Sequence, residues 1–340
     1  MKKKLSINDI ATQLGISITT VSFILNGRAQ EKRISEKLVK RVQEFVQEVN
    51  YKPSSLARSL RTGKTNIIGL MVEDISDPFF SAIARAIEAN AYQNGYKIIY
   101  CSTENDTDKT RELIAMYSER HVDGYIIVPP EGLDQDVKIL IDAGKPVVLI
   151  DRYTPGVDTD CVIIQNEKSA YDATMHLINN GYKHIAFITI DSLQPQMQDR
   201  LVGYEKAMTE HQLPQYIKEI AYKSSEQAMH QISAFLDRKK EIDAIFFSTN
   251  YLCVSGLKAI SGKGLSIPND IGVLSFDDYE LFELYSPSIT TVSQPTEKIA
   301  EHAINLLLAR LKKSSTDKKL QKIELPTTFI VRNSSPVKSR

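Results

Sequence analysis

The stretch SINDIATQLGISITTVSFILNG, residues Ser6 to Gly27, decides how the front of this chain folds. Ser6 stands before an apolar-periodic run with Asp9 three residues on, the pattern of a helix N-cap with a reciprocal acidic partner. Ile7, Ile10, Ala11 and Leu14 then recur at helical spacing and predict a short helix with one buried stripe. Gly15 permits a sharp turn, Ser17 is a second N-cap, and Val21, Ile24 and Leu25 give the next helix an inward face before Asn26-Gly27 stops it. Two short helices joined by a Gly-containing turn form the helix-turn-helix pattern, whose second helix enters the major groove of DNA.

The outward residues of that second helix are Ile18, Thr19, Ser22 and Phe23. A solvated helix face favours Lys, Glu and Gln, whereas short hydroxyls reach phosphates or base edges and Ile and Phe contact thymine methyls. For Ile18 and Phe23 a second reading stays open, packing against a third helix. That helix is predicted from the cap Ser35 through Leu38, Val42, Phe45 and Val49, a stripe that completes a three-helix core. Charge agrees with a polyanionic partner: residues 1 to 65 carry 13 Lys and Arg against 5 Asp and Glu, a net of +8. The whole chain balances 42 basic against 42 acidic residues, so the remainder carries −8.

With 340 residues, 42% of them hydrophobic, the chain suits two or three globular domains. The start MKKKLSINDI turns polar after its basic residues, and no apolar run approaches the ~18 residues of a membrane span, so a cytoplasmic protein is expected. Cys101, Cys161 and Cys253 lie far apart without CxxC or Cys/His ligand spacing, which predicts buried free thiols and neither disulfide nor metal nor cofactor. Six histidines form no HExxH, and GxSxG, Walker A and post-strand GxGxxG motifs are absent, so an enzyme is not expected. Paired acids are compatible with a glycosidase, but the DNA-binding front end has no place in that reading.

From Asn66 onward apolar runs alternate with amphipathic helical segments. NIIGLMV, KIIYCST, GYIIVPP, VVLID, HIAFITI, AIFFST and IGVLSF read as strands, with helices such as Pro78 to Asn94 and Lys168 to Asn180 between them. This is the βαβ pattern of doubly wound parallel sheets, and the length allows two lobes in an α/β chain. Polar residues cluster at the strand ends: Asp74 after the first, Asp151-Arg152 after the fourth, Thr249-Asn250 after a later one, and Asp277-Asp278 after the last of its lobe. Carboxylates and guanidinium forks suit sugar hydroxyls or an anionic group, and Phe79 and Phe80 offer flat apolar faces to a pyranose ring or a base. Each has a structural alternative: Asp74 and Asp278 as caps, Arg152 paired with a neighbouring acid, Phe80 in the core.

The segment NYKPSSLARSLRTGKT, following such a front end, closely resembles the lactose-repressor and galactose-repressor (LacI/GalR) family of transcription regulators. TTVSFILNG, DISDPFF, VDGYIIVPP, VVLIDR, HIAFITI, DRLVGYEKAM and IPNDIGVLSFDD...ITTVSQP match in order and spacing along essentially the whole chain. The resemblance implies an N-terminal all-α helix-turn-helix domain (1–52), a hinge helix and linker (53–65), and a periplasmic-binding-protein-like effector and dimerisation domain (66–335). Its N-lobe would be 66–161 and 291–322, and its C-lobe 162–290 and 323–335. The hinge helix would be Ser54 to Leu60, with Leu60 as a minor-groove wedge, Ala57 near the groove floor and Arg58 beside phosphates.

On the front unit the candidate DNA contacts are Ser6, Ser17, Ile18, Thr19, Thr20, Ser22, Phe23, Asn26, Arg33 and Tyr51. The family often has Arg where Phe23 stands, and GRAQEKRIS lengthens the connection to the third helix, adding either phosphate contacts or a solvated loop. Family positions matching Asp151, Arg200, Asp277 and Gln294 contact the effector; Asp74, Phe79, Phe80, Arg152, Thr249 and Asn250 complete the candidate set. Thr249-Asn250 stands where many relatives have Asn-Asp, a departure that bears on how hydroxyls are recognised. The resemblance thus implies a homodimeric repressor of carbohydrate or related catabolic genes, reading a pseudo-palindromic operator under control of a small molecule, most simply a sugar, with no membrane partner. Control by a protein partner is the alternative.

Overall fold

The computed structural model describes residues 5–51, 63–312 and 319–338. The hinge positions Ser54, Ala57, Arg58 and Leu60 lie outside these residues. The chain divides into two units, Met1–Thr65 and Asn66–Arg340.

In the first unit, α1 (Ile7–Leu14), α2 (Ile18–Leu25) and α3 (Glu36–Glu48) surround a core of Ile10, Ala11, Leu14, Val21, Ile24 and Val42. Ser6 and Asp9 form a reciprocal cap: the Asp9 backbone N–H donates to Ser6 Oγ at 3.2 Å, and the Ser6 backbone N–H to the Asp9 carboxylate at 2.7 Å. Gly15 adopts φ 63°, a left-handed conformation that glycine enters without a Cβ clash, and it reverses the chain between α1 and α2. Ser35 precedes α3 as the sequence predicts, but its hydroxyl makes no capping bond. Leu38 and Phe45 pack half-buried against the core.

The second unit holds two six-stranded sheets. The first contains β1 (Ile67–Val72), β2 (Lys97–Ser102), β3 (Gly124–Ile127), β4 (Val147–Ile150), β5 (Asp160–Ile164) and β11 (Lys322–Leu325), in the order β11-β5-β4-β3-β1-β2 and parallel throughout. The second contains β6 (Ile185–Ile190), β7 (Tyr216–Ile220), β8 (Ala244–Phe247), β9 (Gly272–Phe276), β10 (Thr290–Ser293) and β12 (Thr328–Ile330), ordered β12-β10-β9-β8-β6-β7, with β12 antiparallel to β10.

Burial on both faces explains the unbroken apolar runs in the central strands. In the first sheet, Ile68, Leu70, Ile126 and Val148 pack beneath α4 (Pro78–Gln93) and the long helix Thr296–Lys312. Met71, Tyr125, Ile127 and Leu149 face the other way, toward α5 (Thr107–Glu119) and α6 (Asp134–Asp142). The second sheet is likewise covered on both faces, by α7 (Asn166–Asn179) and α8 (Pro195–Glu210) on one side and by α9 (Ser225–Arg238) and α10 (Asn250–Gly262) on the other.

The chain passes between the lobes three times. β5 lies wholly in the first sheet and β10 wholly in the second, so two crossings fall at Gln165 and at Gln294-Pro295, inside the crossover stretches expected near Cys161 to Asn166 and Thr290 to Pro295 and a few residues past the lobe boundaries at 161/162 and 290/291. β11 belongs to the first sheet and β12 to the second, which moves the third crossing from the Lys322 region to Pro326-Thr327. A short strand flanked by a crossing reads as linker in sequence because it has too few residues to show a period. Cys161 and Cys253 are buried and free, whereas Cys101 is only half-buried and accepts a hydrogen bond from the Tyr117 hydroxyl at 3.0 Å. Among the described residues no helix is long and apolar enough to cross a membrane.

The α7–α8 packing depends on Gly203, where a Cβ would lie 2.2 Å from the Glu167 carbonyl oxygen and 2.8 Å from the Tyr171 nitrogen. Both obstacles are backbone, so the helices have to separate to admit a methyl group. Gly203→Ala is expected to destabilise the second unit by about 1–3 kcal/mol, measured as a lower urea midpoint; an unchanged midpoint would contradict the close approach.

Candidate functional site

Two places in the chain gather exposed or buried chemistry beyond what folding requires. On the front unit, α2 presents Ile18, 46% exposed, and Thr19 to solvent. Ser17 and Thr20 are tied to each other: Ser17 Oγ accepts the Thr20 backbone N–H at 3.0 Å, and the two hydroxyls share a 2.8 Å bond. The Asn26 amide donates to the Ser22 carbonyl at 2.6 Å and reaches the Ser22 hydroxyl at 3.2 Å. Neither Ile18 nor Phe23 joins the residues packed into the three-helix core. The Phe23 ring is instead flanked by two cations, with Lys32 Nζ 5.3 Å and Arg28 Cζ 5.9 Å from its centroid.

The long connection after α2 is anchored, since Ala29 and Ile34 pack against the core and Arg28 pairs with Glu31 at 2.8 Å. Arg33 is exposed at φ 50°. Tyr51, expected among the DNA contacts, is half-buried against the core, and burial raises its phenol pKa above the ordinary value.

The second place lies between the lobes of the second unit, at the carboxyl ends of their strands. Asp151 follows β4 and Asp277 follows β9, the third strand in each sheet order, and both adopt left-handed backbone at φ 69° and 68°. Such angles are uncommon outside glycine and mark strain that the surroundings must hold. The two buried guanidinium groups stand beside them. Arg200, on α8, donates to Asn166 Oδ1 at 2.9 Å and to the Ser248 carbonyl at 2.7 Å, lies 3.7 Å from Asp277, and stacks on Phe276 with 3.7 Å to the ring centroid.

Arg152 reaches across the interface. Its guanidinium donates to Glu73 at 2.7 Å and Asn105 at 3.0 Å on its own lobe and to Gln194 on the other, with Asp151 at 3.7 Å. Gln294 donates to Asp277 at 2.6 Å, and Asn250 donates across the lobes to Asp77 at 3.3 Å. A further bridge lies at the mouth, where Glu131 accepts from the Ser192 hydroxyl and the Leu193 N–H, each at 2.9 Å.

The expected residues are not all equal in this arrangement. Phe79, Phe80, Asp151, Arg152, Arg200, Thr249, Asn250, Asp277 and Gln294 all line one deep pocket of about 40 Å³. Asp74 does not: it lines an outer cleft of about 880 Å³, and its carboxylate accepts from the Ser76 N–H and hydroxyl, closing a local turn, while the helix cap expected of it is supplied by Asp77. Asp278 is likewise structural, held in a fork by Arg332 at 2.7 and 3.0 Å. Phe80 is 92% buried in the core yet touches the pocket, and Thr249 Oγ accepts the Leu252 N–H as cap of α10.

Sequence reading missed Glu73, Asp77, Asn105, Gln194 and Gln196, which the fold brings to the same pocket or its rim. The signal for two of them was local: Asp77-Pro78 and Gln194-Pro195 are N-cap positions followed by a proline at the first helical turn, so each lies at a helix start beside a strand end. Burial pushes the Asp77, Asp151 and Asp277 carboxyls above the ordinary range, Asp277 to about 6. Arg200 opposes the shift at Asp151 and Asp277, and hydrogen bonds do so at Asp77 and Asp277. No metal-holding cluster occurs among the described residues.

A helix-turn-helix unit joined to a two-lobed, ligand-cleft unit defines the class of a DNA-binding regulator with a periplasmic-binding-protein-like domain. Family comparison agrees: residues 6–54 match the family described as bacterial regulatory proteins, lacI family, and residues 174–335 match the periplasmic binding protein-like domain. The chain is 32% identical over 336 residues to the HTH-type transcriptional repressor PurR of Aliivibrio fischeri, covering 97% of this chain and 98% of that one. Among solved structures it is similar to the lac repressor dimer bound to operator and the anti-inducer ONPF, with 22% identity, a TM-score of 0.85, and 98% and 100% of the two chains covered. It is also similar to a LacI family transcriptional regulator from Enterococcus faecium with bound ribose, with 25% identity, a TM-score of 0.72, and 80% and 100% covered. The chain belongs to the lacI family and is a DNA-binding transcriptional repressor of that family.

The raised Asp277 carboxyl has a measurable sign. Folding favours its protonated form, so its contribution to stability is full below about pH 4 and is lost as pH rises through about 6. Asp277→Asn removes that loss because the amide has no proton to release. Thermal midpoints of variant and wild type are expected to coincide near pH 4, with the variant higher at pH 7.5; parallel curves across that range would refute the assignment.

Proposed function

We propose that this repressor acts as a homodimer on a pseudo-palindromic operator and is controlled by a small polar metabolite, a carbohydrate or a nucleobase-type compound, bound between the lobes. One observation carries the reading: residues from both lobes, Arg152 and Asp77 from one and Gln194, Arg200, Asn250 and Asp277 from the other, converge on one pocket. A ligand there touches both lobes at once, so its affinity depends on how they are set, which is the requirement for shifting a two-state equilibrium. The aromatic faces of Phe79 and Phe80, with centroids 4.9 Å apart, supply the apolar side of such a site. The Enterococcus faecium neighbour's bound ribose supports a sugar-sized occupant, and the relatives named PurR widen the class beyond sugars.

The deep pocket shares Glu73, Asp77, Phe80, Gln194 and Asn250 with the outer cleft, so a ring-sized ligand would occupy the two together. Thr249-Asn250 already uses its hydroxyl as a cap and its amide on Asp77, so recognition of ligand hydroxyls falls to Asp151, Asp277 and Gln294.

On the DNA side, Ile18, Thr19, Ser22 and Phe23 form the reading face, with Arg28, Lys32 and Arg33 beside it.

Two experiments test the reading. Thermal shift with a panel of sugars and nucleobases, followed by operator titration, is expected to find a ligand that both stabilises the protein and shifts operator affinity. Arg200→Ala should abolish that shift while leaving ligand-free operator affinity within about twofold, since an unpaired polar group in the cleft weakens ligand binding by about 1–3 kcal/mol or more. A ligand that stabilises the protein with operator affinity unmoved would separate the cleft from regulation. On the DNA side, Phe23→Ala is expected to lower operator affinity about tenfold or more, because base-edge contacts each contribute about 1–3 kcal/mol. The unit's melting should be unchanged, whereas loss of folding would return Phe23 to the core.

A further inference from the structure

Resting on the reading of the cleft as the effector site, we propose that it selects uncharged or cationic ligands rich in hydrogen-bond donors and rejects their phosphorylated and carboxylated counterparts. The outer cleft is lined by Glu73, Asp74, Asp77, Glu104, Glu131 and Asp191 against two cations, Lys223 and Lys258. Deeper in, Asp151 and Asp277 join Glu73 and Asp77 against Arg152 and Arg200. An anion entering this space meets carboxylates on most sides, in an interior that screens charge poorly.

The two arginines do not reverse that balance, because each already stands against a carboxylate of the cleft. Binding a phosphate or carboxylate bidentately needs two parallel free N–H groups on one edge of a guanidinium. Arg152 gives its terminal nitrogens to Gln194, Glu73 and Asn105, and Arg200 gives Nε to Asn166 and one terminal nitrogen to the Ser248 carbonyl, with Asp277 alongside that same nitrogen. An anionic ligand would have to displace a carboxylate already in place, and the displaced carboxylate would remain in the cleft. Of the rim cations, Lys258 donates to the Ser225 hydroxyl at 3.2 Å.

A second, independent feature points to the ligand's donors. Gln196 and Gln294 are 98% and 92% buried, both line the deep pocket, and the amide oxygen of each has no hydrogen-bond partner. Buried acceptors of this kind are satisfied by hydroxyl or N–H groups arriving with a ligand. Arg152 Nε, buried without a hydrogen-bond partner, is suited to a single ring or carbonyl oxygen.

The test uses the full chain and matched pairs: ribose with ribose 5-phosphate, glucose with glucuronate, adenosine with adenosine 5′-monophosphate, and glucosamine as the cationic case. Calorimetry at pH 7.5 is expected to show at least one neutral or cationic member binding, with its anionic counterpart weaker by about a hundredfold or more, as like-charge juxtaposition implies. Glu73→Gln, which removes a cleft charge and releases one edge of Arg152, should narrow that gap at least about tenfold. Asp191→Asn at the rim serves the same purpose if the first variant folds poorly. An anionic member binding as tightly as its parent overturns the proposal, as does a gap that neither variant changes. If no member of any pair binds, the effector reading itself fails and this proposal falls with it.

Discussion

Two guanidinium groups, 98% and 99% buried between the lobes, are the constraint to which the rest of the effector unit conforms. Removing an ion from water carries a penalty of several kcal/mol even after relaxation, and it is offset only by close partners of opposite charge with the remaining hydrogen bonds filled. Here the partners are Glu73, Asp151 and Asp277, with Asn105, Asn166, Gln194 and a backbone carbonyl accepting further N–H groups. Parallel strands make this possible because they end at the same edge of their lobe, so loops from several strands deliver polar side chains to one level. The left-handed turns at Asp151 and Asp277 follow from the same demand, since each carboxylate has to leave its strand end and turn toward a guanidinium.

The front unit answers a different constraint. Its core consists of Ile10, Ala11, Leu14, Val21, Ile24 and Val42, little apolar mass for three helices. Burying one more large side chain would add about 1.5–3 kcal/mol. Ile18 and Phe23 are nonetheless left outside, on the face that also carries Thr19. A small domain that forgoes stabilisation it has the residues to obtain is holding those residues for something other than itself, and the cations flanking Phe23 keep the face attractive to a polyanion.

Much of this architecture could be read from the chain. Central strands such as Ile67–Val72 and Gly272–Phe276 are buried on both faces and so announce themselves as apolar runs; the capping box at Ser6 and Asp9 and the turn at Gly15 are local and equally plain. What escaped was set by distant partners. Strand β7, Tyr216–Ile220, is an edge strand with Lys218 and Glu219 in it, and neither its apolar content nor its period distinguishes it from a loop. Strands β5, β10 and β11 adjoin the lobe crossings and are too short to show a period that would separate them from linker. In the cleft, Asp151 and Asp277 are visible as charges at strand ends; Arg200, which in sequence looks like a helix start, lies inside a helix that begins at Pro195. Asn105 and Gln194 are not visible, because an amide in a loop becomes significant only when a guanidinium from elsewhere arrives beside it. Asp74 shows the converse: its position was read correctly, but its carboxylate is spent on its own turn.

The three passages of chain between the lobes have a mechanical consequence. A single connecting strand is a universal joint, free to bend and twist about any direction, and a ligand acting on it would spread its effect over many motions. Three anchors at Gln165, Gln294-Pro295 and Pro326-Thr327 leave far fewer. Sliding one lobe along the other would strain all three at once, so the connections favour hinge rotation over shear. Gln294 is both an anchor and, through its bond to Asp277, part of the pocket wall, which sets the pocket beside the hinge. A small rotation there becomes a larger arc at the far edge of each lobe, in proportion to the distance from the axis.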